Sequence, residues 1–249
     1  MKFFKKIIIA ILTCGHLRLK AHASILMYHA VDKDNRFLTT SPGSLLKQLE
    51  YLSRRRDITI VHVSELVRRL QAGESVAGLV SVTFDDGLEN FYTIAWPLLE
   101  KYNVPATVFT CEGLMGKSFH TSDGATWPVM SEAMVREIAR DGLIEFLSHT
   151  YSHPDLSVLS PESYDKEIGR EGTILAYPKG RFSSEVVEYL KRNGWLAAVG
   201  VKGGLVDEAS DVYDLPRNGV GPETSIKHFA LLVSDRLNLF LKIKKLSML

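Results

Sequence analysis

The chain has 249 residues, 45% of them apolar and 24% charged, which is enough for one large domain with a filled core. Its 30 basic and 29 acidic residues leave a formal charge of +1, which excludes the strongly basic footprint of a nucleic-acid binder. Two cysteines, Cys14 and Cys111, exclude a disulfide scaffold and a cysteine-rich zinc site; Cys111 reads as a small buried apolar residue.

From Met1 to Lys6 the chain is basic, and from Ile7 to Gly15 it is apolar. Ala21-His22-Ala23 then places small residues at the spacing of a signal-peptidase site. The apolar run is too short for an ordinary membrane span. Residues 1–23 are therefore expected to be a signal peptide and 24–249 a single domain, secreted or periplasmic. Arg18 and Lys20 interrupt the approach to the cleavage site. The alternatives are an uncleaved anchor or a lipid on Cys14, either of which would bring membrane association.

Short apolar runs rich in β-branched residues then alternate with amphipathic stretches. Strands are predicted over 25–31, 58–63, 79–84, 106–110, 144–148, 174–177, 197–201 and 213–220. Helices are predicted over 43–55, 64–72, 92–101, 131–140, 161–170, 183–193 and 225–244. Ser64, Ser131 and Ser183 read as N-caps, and Gly194 as a left-handed helix end. Pro97 marks a first turn or a kink. This alternation implies an α/β fold with parallel strands, either a closed or nearly closed barrel or, in competition, a doubly wound open sheet. Lys242, Lys244 and Lys245 read as a solvated helix end. No repeat, linker or second domain is evident.

Three constellations follow predicted strands. Thr83-Phe84-Asp85-Asp86-Gly87 puts two carboxylates at a buried strand's carboxyl end, where alternation turns them to different jobs, such as holding a metal and accepting a proton. His149-Thr150-Tyr151-Ser152-His153 spaces two imidazoles four apart, so that in a helical turn they would share one face. With a carboxylate they would form an open two-His, one-Asp site, for which zinc is the default metal. In Ala176-Tyr177-Pro178-Lys179-Gly180, the amides of Lys179 and Gly180 are free to face a reacting carbonyl oxygen. Trp127 and Trp195 would either stack on sugar faces or serve as packing.

In this order, and preceded by Ile25-Leu26-Met27-Tyr28-His29-Ala30-Val31, these motifs resemble those of the polysaccharide deacetylase family. This is carbohydrate esterase family four, the NodB homology domain, and the resemblance runs over residues 24–220. It implies a distorted (β/α) barrel of the polysaccharide deacetylase type. It also implies a metal-dependent hydrolase that removes acetyl groups from a polysaccharide. By resemblance, Asp85 is the general base, and Asp86, His149 and His153 bind a divalent metal. The oxyanion is held by that metal and the Lys179 backbone N–H. Tyr177, Pro178 and His29 border the substrate, with His29 a candidate acid.

The Leu-Met-Tyr-His opening and the Ala-Tyr-Pro form of the third motif are similar to the biofilm branch, which acts on poly-β-1,6-N-acetylglucosamine. Leu215-Pro216-Arg217 resembles a late strand of that branch. A peptidoglycan or chitooligosaccharide deacetylase is the alternative. The chain departs from the family in a shortened stretch between His153 and Tyr177, expected to shift Tyr177–Gly180, and in Lys179 where an aromatic is usual. These departures keep open a weakened carbohydrate-binding module on the same scaffold. A phosphoesterase is disfavoured because three ligands and no phosphate-cradling glycine loop are present.

Overall fold

The computed structural model describes residues 22–34, 38–121, 124–238 and 240–241. The chain first forms β1 (Ser24–Tyr28), β2 (Ala30–Val31), β3 (Thr39–Thr40), α1 (Pro42–Ser53), β4 (Thr59–Ile60) and α2 (Val63–Gln71). Next come β5 (Leu79–Phe84), α3 (Trp96–Tyr102), β6 (Ala106–Thr110), the hairpin β7 (Ser118–His120) and β8 (Thr126–Pro128), and α4 (Glu132–Ile138). The last elements are β9 (Ile144–Ser148), α5 (Tyr164–Glu167), β10 (Ile174–Ala176), α6 (Ser184–Arg192), β11 (Ala197–Val199), β12 (Asn218–Gly219) and α7 (Ile226–Leu232).

The main sheet is parallel, in the order β11-β10-β9-β6-β5-β1-β12, and β4 joins the first half of β5 where β6 joins its second half. Apart from the edge strand β12, the order follows the chain, and β12 returns to lie beside β1. A doubly wound sheet would reverse direction; this one curls round into a half-barrel. Every residue of β1, β5 and β6 is buried, as strands covered on both faces must be.

Alternation divides these strands between two cores. Ile25, Leu79, Phe109, Ile174 and Ala197 point inward and meet Val63, Leu66 and Val67 of α2. Helix α2 thus plugs the end of the barrel where the strands begin. Leu26, Val82, Phe84 and Val108 point outward against Leu45, Leu49 and Leu52 of α1 and their neighbours. Each such buried leucine contributes about 1.5–3 kcal/mol.

Caps set several helix starts: Ser131 and Ser183 accept from the amides of Met134 and Val186. Ser64 does not cap its helix. Helix α2 begins at Val63, and Thr107 and Glu145 satisfy its first amides from across the barrel. The predicted 92–101 helix opens as a π-helical turn (Phe91–Ala95) and becomes α-helical with Pro97 in its first turn, where a missing N–H costs nothing. The predicted 161–170 helix is a 3₁₀ turn followed by the single turn α5, ended by Gly169 at φ +91°. The predicted 213–220 strand shrinks to β12, because Pro216 lacks the ladder's N–H and the preceding residues close the gap between β11 and β12 through Val199 and Leu215. Helix α7 stops at Leu232, short of the predicted end.

Residues 1–21, with Cys14, and Lys242, Lys244 and Lys245 lie outside the described residues. Ala23 exchanges two backbone bonds with Val206. Among the described residues no helix is long and apolar enough to cross a membrane.

Candidate active site

The carboxyl ends of β1, β5, β9 and β10 converge on a cleft of about 510 Å³. Beyond β5 the chain turns sharply, with Asp86 at φ +70° and Gly87 at φ +64°. A side chain at Gly87 would also meet the Thr110 methyl at 3.0 Å, so glycine is favoured there. This turn buries both carboxylates and points them to different partners.

Asp85 faces Arg217. The guanidinium donates to both carboxylate oxygens, Nη1 to Oδ1 at 2.6 Å and Nη2 to Oδ2 at 2.8 Å. Arg217 is fully buried; its Nε donates to the Gly200 carbonyl and its Nη1 to Thr83 Oγ1. Phe109 lies against it, 5.3 Å from ring centre to guanidinium. Burial pushes the Asp85 carboxyl up, but Arg217, His149 and His29 outweigh it and hold it well below the usual carboxylate range. His29, at the end of β1, places Nε2 3.8 Å from Asp85 Oδ2.

Asp86 faces two imidazoles, with Oδ1 lying 3.5 Å from His149 Nε2 and 3.6 Å from His153 Nε2. All three residues offer one ligand atom within 4.8 Å of the others. The Nδ1 of His149 lies 2.8 Å from the Ala176 carbonyl, which fixes the proton on Nδ1 in the neutral ring and turns the Nε2 lone pair toward Asp86. Among the described residues, Asp86 Oδ1 is buried without a hydrogen-bond donor. A bare carboxylate oxygen facing imidazole lone pairs is a fitting donor set for a divalent cation.

Protonation follows the same field. Burial pulls His149 down, but Asp86 and Asp85 outweigh it and the net shift is upward. His153 is pushed down to about 4, by burial first and then by the positive field of His149. Burial raises Asp86, yet the three neighbouring histidines leave it below its ordinary value.

The i, i+4 spacing of the histidines works without a helix. Residues 149–153 form a loop with Thr150 at φ +70° and His153 at φ +62°, and this loop brings the imidazole centres to 4.8 Å. The shortened stretch does not pull the third motif away. Ala176 supports His149, and Tyr177 and Lys179 line the cleft. The Tyr177 hydroxyl donates to the Tyr213 carbonyl and its ring stacks on Phe182, while Pro178 is buried beside it. Lys179 is left-handed at φ +57°, and the turn closes through the amides of Gly180 and Arg181 rather than that of Lys179.

Two contributors were absent from the expected site. Arg217 lies 132 residues from Asp85, and its signal was the Leu215-Pro216-Arg217 segment. The β7–β8 hairpin supplies Phe119 and His120 to the cleft wall beside Trp127, the one member already named as a candidate for sugar stacking, with Phe119 edge-on to His153 at 4.9 Å. Its three-residue strands leave little periodicity to read. Trp195 is 2% exposed and serves as packing.

Comparison with known proteins agrees with this geometry. The sequence pattern of the polysaccharide deacetylase family matches residues 72–198. Poly-beta-1,6-N-acetyl-D-glucosamine N-deacetylase of Staphylococcus aureus (strain MRSA252) is 24% identical over 214 residues, 78% of this chain and 72% of that protein. The Streptococcus pyogenes deacetylase PplD, solved in complex with acetate, superposes with a TM-score of 0.71 at 25% identity, covering 87% of this chain and 100% of that one. IcaB from Ammonifex degensii shares the fold, with a TM-score of 0.69 at 22% identity over 86% of this chain and 98% of its own. The matched stretch includes the strand ends that carry Asp85, His149 and Tyr177, and the chain belongs to the polysaccharide deacetylase family, a deacetylase hydrolase.

Proposed function

We propose that this deacetylase removes N-acetyl groups from poly-β-1,6-N-acetylglucosamine, using a divalent metal, zinc by ligand type, held by Asp86, His149 and His153. The observation that carries the metal reading is the buried, donorless Asp86 oxygen set between two imidazole nitrogens. Bound there, the cation would supply Lewis acidity to the acetyl carbonyl and the attacking water.

The protein's own groups divide the remaining work. Asp85 accepts the water's proton as general base. Arg217 fixes the direction of that carboxylate and keeps it ionised. A carboxylate held so low is a weak base, so it suits a water that is already acidified. His29, beside Asp85 at the cleft, returns a proton to the departing amine. The Lys179 amide supplies a donor to the developing oxyanion. Tyr177 shapes the wall, whereas Pro178, expected to border the substrate, is buried and does not line the cleft. A cleft of about 510 Å³ suits one or two sugar units, within the roughly 300–1,000 Å³ of ordinary ligand pockets.

The choice of a β-1,6 polymer draws on the staphylococcal relative and on the Leu-Met-Tyr-His and Ala-Tyr-Pro segments. Export through residues 1–23, with anchoring as the alternative, belongs to the same proposal; sequencing the amino terminus of the mature protein reads it. The central test is acetate release from β-1,6- and β-1,4-linked N-acetylglucosamine oligomers, with and without a chelator. Chelator-sensitive release that favours the β-1,6 oligomer is expected. Release unaffected by thorough chelation would sink the metal reading. A β-1,4 preference would move the substrate to peptidoglycan or chitooligosaccharide. Glycan binding with no release would leave a binding module.

A further inference from the structure

The loop that carries both imidazoles has an unusual set of restraints. Its two left-handed non-glycine residues, Thr150 and His153, make it a conformation that surrounding bonds must hold. All five backbone amides are accounted for. His149 donates to the Thr110 carbonyl, Thr150 to Ser148 Oγ, and His153 to Thr150 Oγ1. The other two go to one residue: Tyr151 donates to the Glu167 carbonyl at 2.7 Å and Ser152 to Glu167 Oε2 at 3.0 Å. The Ser152 hydroxyl also reaches both Glu167 carboxylate oxygens, at 3.0 and 2.9 Å.

Glu167 is 7% exposed, and its carboxylate is directed at the loop. It ends α5, the single turn left by the shortened stretch. That turn is itself held firmly: Tyr164 packs edge-on to Tyr189 of α6, and the Tyr189 hydroxyl donates to Asp165 and to the Gly169 carbonyl. A rigid base thus presents one side chain and one carbonyl to the stretch between the two histidines.

We propose that Glu167 is a positioning residue, which holds the 149–153 loop in the form that turns His153 toward Asp86. The inference rests on the metal reading above only for its consequence; the clamp itself is independent of any bound ion. Glu167→Gln keeps the shape and can offer its carbonyl oxygen to the Ser152 amide and its NH₂ to the Ser152 hydroxyl. Glu167→Ala removes both side-chain bonds.

Two measurements on the full chain decide it. Amide hydrogen exchange in chelator-treated protein reads the loop alone. Zinc affinity, by competition with a chromophoric chelator, reads the ligands. Glu167→Ala should speed exchange at 151–153 about tenfold or more, with β5 and α6 unchanged, and weaken zinc by about 10–100-fold. Glu167→Gln should stay within about threefold of the parent on both. A folded Glu167→Ala with parental exchange and zinc affinity overturns the proposal, and so does a Glu167→Gln that loses zinc as badly as alanine, since charge rather than geometry would then matter. If Glu167→Ala does not fold, Glu167→Asp decides, because its carboxylate is one methylene short of the Ser152 amide: faster exchange at 152–153 supports the clamp and unchanged exchange overturns it. A parent chain that binds no zinc, yet loosens at 151–153 in Glu167→Ala, supports the clamp while removing the metal reading.

Discussion

Asp85 and Asp86 are neighbours in the chain, equally buried, and treated in opposite ways. On the Asp85 side, every demand is met within the protein: a bidentate guanidinium, itself bonded to Gly200 and Thr83 and backed by Phe109. On the Asp86 side, one oxygen has no donor among the described residues and faces two imidazoles. Burial has the same desolvation penalty on both sides. The protein offsets it for Asp85 through direct bidentate bonds, and for Asp86 only through the field of the neighbouring histidines. One carboxylate is therefore fully bonded within the protein, and the other belongs to a group of three residues that could hold a metal ion.

The sharpest break of this contrast is Arg217→Met, which strands Asp85 in the interior. Loss of one partner of a buried pair costs about 3–5 kcal/mol, so urea denaturation should show a fall of that size. Acetate release should fall with it in any fraction that remains folded. Next comes Asp85→Asn, which should cut release by about 10²–10⁴-fold, the usual worth of a general base, with zinc affinity little changed.

Asp86→Asn is the complementary change. It should abolish the rise in melting temperature that zinc gives the parent chain, since stabilisation follows binding to the folded state. In metal-free protein the same substitution should cost clearly less than Arg217→Met, because Asp86 faces imidazoles at 3.5 and 3.6 Å rather than a bidentate guanidinium. A metal-free loss as large as that of Arg217→Met would erase the contrast.

Acid titration sharpens the comparison further. Asp85 is lowered in the folded state, so its contribution is full above the unfolded carboxylate value of roughly 4 and fades as pH falls below it. Denaturation measured down that range should steepen in the parent and flatten in Arg217→Met. The smallest effect belongs to the cleft wall. Trp127→Ala should raise KM several-fold with kcat held, about 1 kcal/mol of uniform binding lost.

Much of the site was legible because its pieces are local. Each motif sits directly after an apolar run, and a parallel sheet gathers such strand ends on one face whatever their separation in sequence. The reason given for the histidine pair did not survive: a helical turn was expected, and a loop with two left-handed residues does the same work. Arg217 escaped the candidate site because the Leu215-Pro216-Arg217 segment gives no hint of its partner. It sits in a segment that closes the barrel, and its partner is known only once β12 lies beside β1. The single-turn α5 looked like a deficit in the sequence because helix length is easy to count; what the turn holds in place is a long-range contact.

The sheet also has a seam. Strands β1 and β5 align over five residue pairs, as do β6 and β9, but β9 meets β10 through one pair, Leu175 with Ser148. Just beyond that pair, the His149 imidazole on the β9 side bonds to the Ala176 carbonyl at the end of β10. The ring offered to a metal is thus also a suture across the weakest join of the wall. Parting of the two flanks would break this bond and release the ring that it orients, so the hold of this join and the direction of the His149 Nε2 go together.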